Sequence, residues 1–93
     1  MKPLDWDDAK NQWLKRERGI SFEDVVTLIA LGRVVEIVPH KNQEKYPGQR
    51  IIVLDVEGYI YLVPFDETEE RILLRTIIPS RKATRDYYGD KKR

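Results

Sequence analysis

The sequence predicts an α+β fold: two N-terminal helices, a four-stranded antiparallel sheet and a C-terminal helix. Apolar residues recur at helical spacing in the first third of the chain, and from Val34 onward they form short runs typical of strands. The links between these runs are too short for the crossover that parallel strands need, so antiparallel pairing is expected. A basic helix signal follows the last apolar run.

The first predicted helix begins at Asp5 as its N-cap, with Asp8 in the third position of a capping-box pattern. Gly19 is expected to end it, since glycine is common just after a helix. Helical spacing places one apolar stripe on this helix: Trp6, Ala9, Trp13 and Leu14.

The second predicted helix begins after Ser21, where Asp24 completes another capping box, and Gly32 ends it. Ile20 and Val25 are spaced to form the hydrophobic staple across its start. The buried face of this helix is expected to consist of Phe22, Val25, Val26, Ile29 and Ala30.

Four strands are predicted next, and the middle two form a hairpin about the turn Glu57-Gly58. This turn sets Leu54 opposite Tyr61 and Arg50 opposite Phe65. The four predicted strands are residues 34–38, 50–56, 59–65 and 72–78.

The same register places Arg50, Tyr59 and Tyr61 on one face of the sheet. The helices are expected to cover the opposite face because it is the more apolar one. That opposite face carries Ile51, Val53, Ile60 and Leu62.

At 93 residues and 11.0 kDa, the chain has the size of one domain, expected to span residues 1–93. With 35% charged and 41% hydrophobic residues, it has the composition of a soluble globular protein. The sequence contains no apolar run of about eighteen residues that would predict a membrane span. Its acidic start lacks the apolar core of a signal peptide, so a cytoplasmic location is expected.

The sequence has no cysteine and one histidine, His40, in a predicted loop. This excludes disulfides, thiolate catalysis and cysteine zinc sites, and the sequence contains no metal-ligand cluster or cofactor motif. We therefore expect chemistry that uses neither a metal nor a cofactor.

The start of the last helix carries the strongest functional signal. Ser80 stands in the N-cap position after Pro79, and Arg81 and Lys82 fall in the first turn. Cations there oppose the helix dipole but stand beside exposed N–H groups, an arrangement suited to holding a phosphate. The alternative is a solvated basic helix that binds no ligand.

Together with other arginine and tyrosine side chains of the sequence, these two cations form a set of residues that could act on RNA. Cations can stabilise the charge that grows on a phosphate when a ribose 2′-hydroxyl attacks it, and aromatic rings can stack on bases. The set therefore suits cleavage of RNA without a metal. Its members are Arg50, Tyr59, Tyr61, Arg75, Arg81, Lys82, Arg85, Tyr87 and Tyr88.

Three blocks of the chain together resemble the BrnT-type toxins: residues 5–10 (DWDDAK), 19–24 (GISFED) and 80–85 (SRKATR). The resemblance implies a RelE-like fold and a ribonuclease of a type II toxin–antitoxin pair, which cleaves mRNA and inhibits growth. It also implies a cognate antitoxin, usually of the ribbon-helix-helix type, that represses the operon. RNA is then the substrate, DNA is contacted only through the antitoxin, and no membrane is involved.

The residues and the resemblance together lead to candidate roles. Arg50 is expected to orient the scissile phosphate, and Tyr61 is the aromatic or proton-transfer candidate. Arg75 and Tyr87 are expected to contact RNA. The alternative is a non-catalytic RNA- or antitoxin-binding domain of the same fold, because binding without cleavage would need the same cations. Phosphate contact and charge stabilisation are assigned to Arg81, Lys82 and Arg85.

Overall fold

The computed structural model describes residues 2–89, which form three helices and a mixed six-stranded sheet. The helices are α1 (Asp8–Arg18), α2 (Phe22–Ala30) and α3 (Arg81–Tyr88). Within residues 2–89, none of these helices has the length and apolar character needed to cross a membrane. The strands are β1 (Leu4–Trp6), β2 (Val34–Pro39), β3 (Arg50–Val56), β4 (Tyr59–Glu67), β5 (Ile72–Leu74) and β6 (Ile78–Pro79).

The N-terminal end of α1 corrects the predicted helix start. Asp7, not Asp5, is the N-cap, and its carboxylate accepts a hydrogen bond from the Lys10 N–H at 2.9 Å. The segment before it is β1, which pairs in parallel with β5. Pairing with β5 provides hydrogen-bond partners for the backbone groups of these residues. A helix that began at Asp5 would have removed these residues from the sheet. Trp6 therefore lies outside the helix, and its ring stacks on Phe22 at 5.5 Å between centroids.

The junction between α1 and α2 confirms the predicted caps. Gly19 ends α1 in the left-handed region at φ +66°, which glycine adopts without strain. The Ser21 hydroxyl accepts from the Asp24 N–H at 3.1 Å, and the Asp24 carboxylate accepts from the Ser21 N–H at 2.9 Å. The predicted buried face of α2 is too wide, since Phe22 and Val25 are fully buried but Val26 is exposed.

The central hairpin has the predicted register. Leu54 lies opposite Tyr61 and Arg50 lies opposite Phe65, about the turn at Glu57-Gly58. The sheet around this hairpin is larger than the predicted four strands, with the order β1-β5-β4-β3-β2 and with β6 also paired to β4. Because β1 is parallel to β5, the prediction of an all-antiparallel sheet is wrong.

The predicted strand 72–78 is divided into β5 and β6, both antiparallel to β4. The division lies opposite Pro64 of β4, whose carbonyl accepts from the Arg75 N–H at 2.8 Å. A regular antiparallel pair would also need an N–H from residue 64 to donate to Arg75, and proline has none, so regular pairing stops there. Ile77, between the two short strands, is fully buried.

The two faces of the sheet are covered by different helices, and the face prediction is wrong for α1 and α2. These two helices lie on the face that also carries Arg50 and Tyr61, whereas α3 lies on the opposite face. Both faces of the central hairpin are apolar, so hydrophobicity alone could not distinguish them. The core between α1, α2 and the sheet is built from Leu14, Ile20, Phe22, Val25, Ile52, Leu54, Val63, Phe65, Leu74 and Ile77.

Candidate functional site

Helix α3 is fixed to the sheet at its start and at its middle. The Ser80 hydroxyl accepts from the Ala83 N–H at 3.0 Å, which confirms the predicted N-cap. The backbone of Ile60 in β4 donates to the Thr84 hydroxyl at 2.8 Å, and its carbonyl accepts from the Ser80 N–H at 3.0 Å. Both backbone groups of Ile60 are thus bonded to the start of α3, as they would be to a neighbouring strand.

The C-terminal end of α3 is fixed by a hydrogen bond from the Tyr88 hydroxyl to the Asp55 carboxylate of β3. This bond, followed by one from the Gly58 N–H, holds the pKa of Asp55 below its ordinary value. The same contact raises the pKa of Tyr88 above its ordinary value. Asp55 is therefore ionised and Tyr88 protonated at neutral pH, and the bond between them is charge-assisted.

One side of α3 forms an open cleft with the end of the hairpin, and we call it the arginine cleft. Arg81 and Arg85, four residues apart, lie on the same side of the helix and both line this cleft. Within residues 2–89, neither guanidinium forms an ion pair. The cleft has a volume of about 510 Å³ and is lined by Asp55, Gly58, Tyr59, Arg81, Thr84, Arg85, Tyr88 and Gly89.

The other side of α3 borders an apolar groove, which we call the α3 groove. Lys82 lies on this side and forms an ion pair with Asp86 at 3.0 Å, so it does not line the arginine cleft. Tyr87 also lies here, and its hydroxyl donates to the Glu36 carboxylate of β2, which raises the pKa of the phenol. The groove has a volume of about 470 Å³ and is lined by Val38, His40, Lys41, Ile51, Val53, Leu62, Ser80, Lys82, Ala83, Asp86 and Tyr87.

The structure does not bring Arg50 to the arginine cleft. Arg50 lies on the opposite face of the sheet, where it forms an ion pair with Glu67 and its guanidinium stands 5.2 Å from the centre of the Phe65 ring. Arg75 is also apart, beside β5, with Asp66 at 3.6 Å. Both cations are therefore occupied by carboxylates away from α3.

Tyr61 lies next to the arginine cleft but not in it. It lines a pocket with Arg18 on the face covered by α1 and α2. Its ring packs edge-on against Tyr59 with 6.0 Å between centroids, and Tyr59 does line the cleft. Of the five residues predicted to be catalytic, only Arg81 and Arg85 share one cleft.

Asp55 and Thr84 are the cleft residues that the sequence reasoning missed. Asp55 is the one charged residue in the otherwise apolar segment after Arg50 in β3, and such a residue usually has a specific partner. Thr84 follows the N-cap Ser80 by four residues, the spacing at which a hydroxyl can bond back to the helix start, and it donates to the Ser80 carbonyl at 2.7 Å. Within the part of the chain that the structure describes, no three His, Cys, Asp or Glu side chains are grouped as a metal site.

Comparison with known proteins connects this arrangement to one family. Neither the curated proteins nor the solved structures gave a match to this chain. A family model described as "Ribonuclease toxin, BrnT, of type II toxin-antitoxin system" matches residues 6–86, which include the two N-terminal helices, the central hairpin and most of α3. The chain therefore belongs to the BrnT family of ribonuclease toxins from type II toxin–antitoxin systems, and this family implies an antitoxin partner.

Proposed function

We propose that this protein is an endoribonuclease toxin that cleaves mRNA in the arginine cleft without a metal ion and so inhibits growth. The observation that carries the proposal is the pair of guanidiniums of Arg81 and Arg85, which face one open cleft beside Tyr59 and form no ion pair within residues 2–89. Positive charge in a concave site attracts the phosphates of RNA. A cognate antitoxin of the ribbon-helix-helix class would neutralise the toxin and contact operator DNA.

The proposed reaction is transfer of the phosphoryl group to the neighbouring ribose hydroxyl. The 2′-oxygen forms a bond to phosphorus as its proton passes to water, the bond from phosphorus to the 5′-oxygen breaks, and that oxygen takes a proton from water. Negative charge on the non-bridging oxygens increases in the transition state, where Arg81 and Arg85 would stabilise it. Two guanidiniums would supply the charge that a metal ion supplies in other nucleases.

Tyr59 is the side chain that we assign to a base next to the scissile phosphate. It is 37% exposed, lines the arginine cleft, and packs edge-on against the ring of Tyr61. An exposed aromatic ring beside cations is the arrangement by which proteins bind unstacked bases of single-stranded RNA. Single-stranded RNA is therefore the proposed substrate form.

The other predicted site residues have lesser roles in this proposal. Lys82 adds positive potential from outside the cleft, although Asp86 offsets its charge. Arg50 and Arg75 already bind carboxylates, so RNA contact there would require those ion pairs to open. Tyr87 lies across α3 from the cleft.

The test is cleavage of single-stranded RNA by the purified protein in EDTA. We expect the wild-type protein to cleave, and Arg81→Ala to lose about 10²–10³ in rate, as when one preorganised charge donor is removed. The matched control is Arg16→Ala, which removes an exposed arginine from α1. Cleavage that requires an added divalent metal would contradict metal independence, and equal rates for the two variants would contradict the site.

A second candidate function is RNA binding without cleavage. It is favoured by the pKa values of two side chains that line the cleft. The pKa of Asp55 is lowered and the pKa of Tyr88 is raised, so both lie farther from neutrality than the ordinary values. General acid–base catalysis works best with a pKa near the working pH. This alternative requires salt-dependent RNA binding that Arg81→Ala weakens, with intact RNA recovered after prolonged incubation.

A further inference from the structure

The α3 groove is an apolar part of the sheet that the chain itself leaves partly uncovered. Helix α3 has eight residues, and side chains of the neighbouring strands line a groove beside it. Val38, Ile51 and Leu62, which line the groove, are only half-buried. A groove with several apolar side chains on its floor is a common docking site for a protein partner.

The charged groups of the α3 groove leave one lysine without an ion pair. Lys82 is paired with Asp86 and the Glu36 carboxylate accepts a hydrogen bond from Tyr87, whereas Lys41 forms no ion pair within residues 2–89. Asp86 stays ionised because the hydrogen bond from Lys82, and then the nearby charges of Lys82, Arg85 and Lys41, lower its pKa. Since Lys82 already neutralises Asp86, the charge of Lys41 is the part left for a partner to complement.

We propose that the α3 groove is the docking site of the antitoxin, which inserts apolar side chains between α3 and the sheet and places carboxylates against Lys41. The proposal rests on the antitoxin partner that membership of the family implies, and it does not require the RNA cleavage proposed above. The partner segment is therefore amphipathic, with one apolar face and an acidic border.

Two other occupants fit the α3 groove less well. RNA is disfavoured because phosphates gain nothing from a floor of Val38, Ile51 and Leu62. A second copy of this chain is disfavoured because a two-fold contact brings the same patch together on both partners. The Lys41 side chains of the two copies would then stand close together without carboxylate partners, and like charges repel.

A steric plug in the groove provides the main test. Ala83 lines the groove from α3 and is half-buried, so Ala83→Trp fills it from the helix side. The matched control is Ala9→Trp, which adds the same ring at an exposed position of α1. We expect Ala83→Trp to weaken binding of the adjacent gene's antitoxin product by at least about tenfold and Ala9→Trp to bind like the wild type.

A charge reversal at the rim provides a second test that does not depend on tolerance of the tryptophan. Lys41→Glu is expected to weaken antitoxin binding about two- to fivefold, with a reduced dependence on salt. The control is Lys45→Glu, which makes the same change in the same loop outside the groove. If Ala83→Trp has a lowered melting temperature, the comparison of these two lysine variants decides.

The outcomes separate this proposal from the proposed ribonuclease function. Antitoxin binding that is equal in Ala83→Trp and Ala9→Trp, or in Lys41→Glu and Lys45→Glu, would overturn the docking site. Self-association of the wild type that Ala83→Trp abolishes would overturn it in favour of a second copy. Loss of antitoxin binding in Ala83→Trp supports the docking site even if the wild type cleaves no RNA, and Lys41→Glu is expected to keep the wild-type cleavage rate.

Discussion

The two sides of α3 differ in charge, in exposure and in the way that they are fixed to the sheet. The arginine cleft presents Arg81 and Arg85 without an ion pair in the described chain, whereas in the α3 groove Lys82 is paired with Asp86. Both pairs are four residues apart, so each pair shares one side of the helix. One short helix thus separates the cleft proposed to bind RNA from the groove proposed to bind the antitoxin.

The spacing on α3 also indicates what each side contributes to stability. Like charges four residues apart destabilise a helix by about 0.2–0.5 kcal/mol, and opposite charges stabilise it by a similar amount. Arg81 additionally opposes the dipole at the helix start. The cleft side therefore retains an arrangement that costs stability, as expected for a binding site, while the groove side retains one that contributes to it.

The largest expected effect distinguishes the two sides by activity. Arg85→Ala should reduce the rate of RNA cleavage by about 10²–10³. Lys82→Ala removes a cation from the other side of α3 and should reduce the rate by less than about tenfold. Neither change should lower the melting temperature noticeably, since both side chains are exposed. Initial rates on single-stranded RNA measure this, and a greater loss in Lys82→Ala would contradict the separation of the two sides.

The features that could be predicted from the sequence are local ones. The Ser80 cap and the register of the hairpin follow from a few neighbouring residues, and the structure has both. The separation of Arg81 from Lys82 was also accessible, because consecutive helical residues point about 100° apart. Charge alone groups Arg81 with Lys82, whereas this angle places them on different sides of α3.

The features that could not be predicted depend on distant parts of the chain. β1 has three residues and pairs with Ile72–Leu74, which no local pattern indicates. The interruption after β5 depends on Pro64 of the neighbouring strand. The positions of Arg50 and Tyr61 depend on which sheet face α1 and α2 cover, and that choice was wrong because both faces are apolar.

The second prediction concerns the cleft-side attachment at Thr84. Thr84→Val keeps the shape of the side chain but leaves the N–H of the fully buried Ile60 without its acceptor. An unpaired buried donor costs about 1–3 kcal/mol, so the free energy of unfolding should fall by that amount. Denaturant unfolding measures it, with Thr27→Val at an exposed position of α2 as the control. Equal stability of the two variants would show that α3 is not held through Thr84.

The third prediction concerns the attachment of the end of α3 to Asp55. Its carboxylate has a lowered pKa in the folded protein, so its stabilising effect is present above the ordinary pKa and is lost as pH falls through the folded value. Asp55→Asn should cost about 1–2 kcal/mol at neutral pH, because the bond to Tyr88 is charge-assisted but half-exposed.

The pH dependence supplies the control for this third prediction. The wild type should begin to lose its advantage over Asp55→Asn as the pH falls below the ordinary carboxyl pKa of about 4, because the unfolded chain then takes up the proton before the folded protein does. Melting temperatures of both proteins between about pH 3 and pH 7 measure this. A difference that stays constant over that range would contradict the role of the charge.

The smallest expected effect is on the groove side, at the bond from Tyr87 to Glu36. Both side chains are exposed, so water replaces the bond at little cost and Tyr87→Phe should change the free energy of unfolding by less than about 0.5 kcal/mol. Tyr88→Phe, the matched change on the cleft side, should cost more because its bond to Asp55 is partly buried. Denaturant unfolding of the two variants side by side compares the attachments directly. If Tyr87→Phe were the more damaging change, the groove side would be the one that holds α3, and a partner inserted there would have to displace a structural contact.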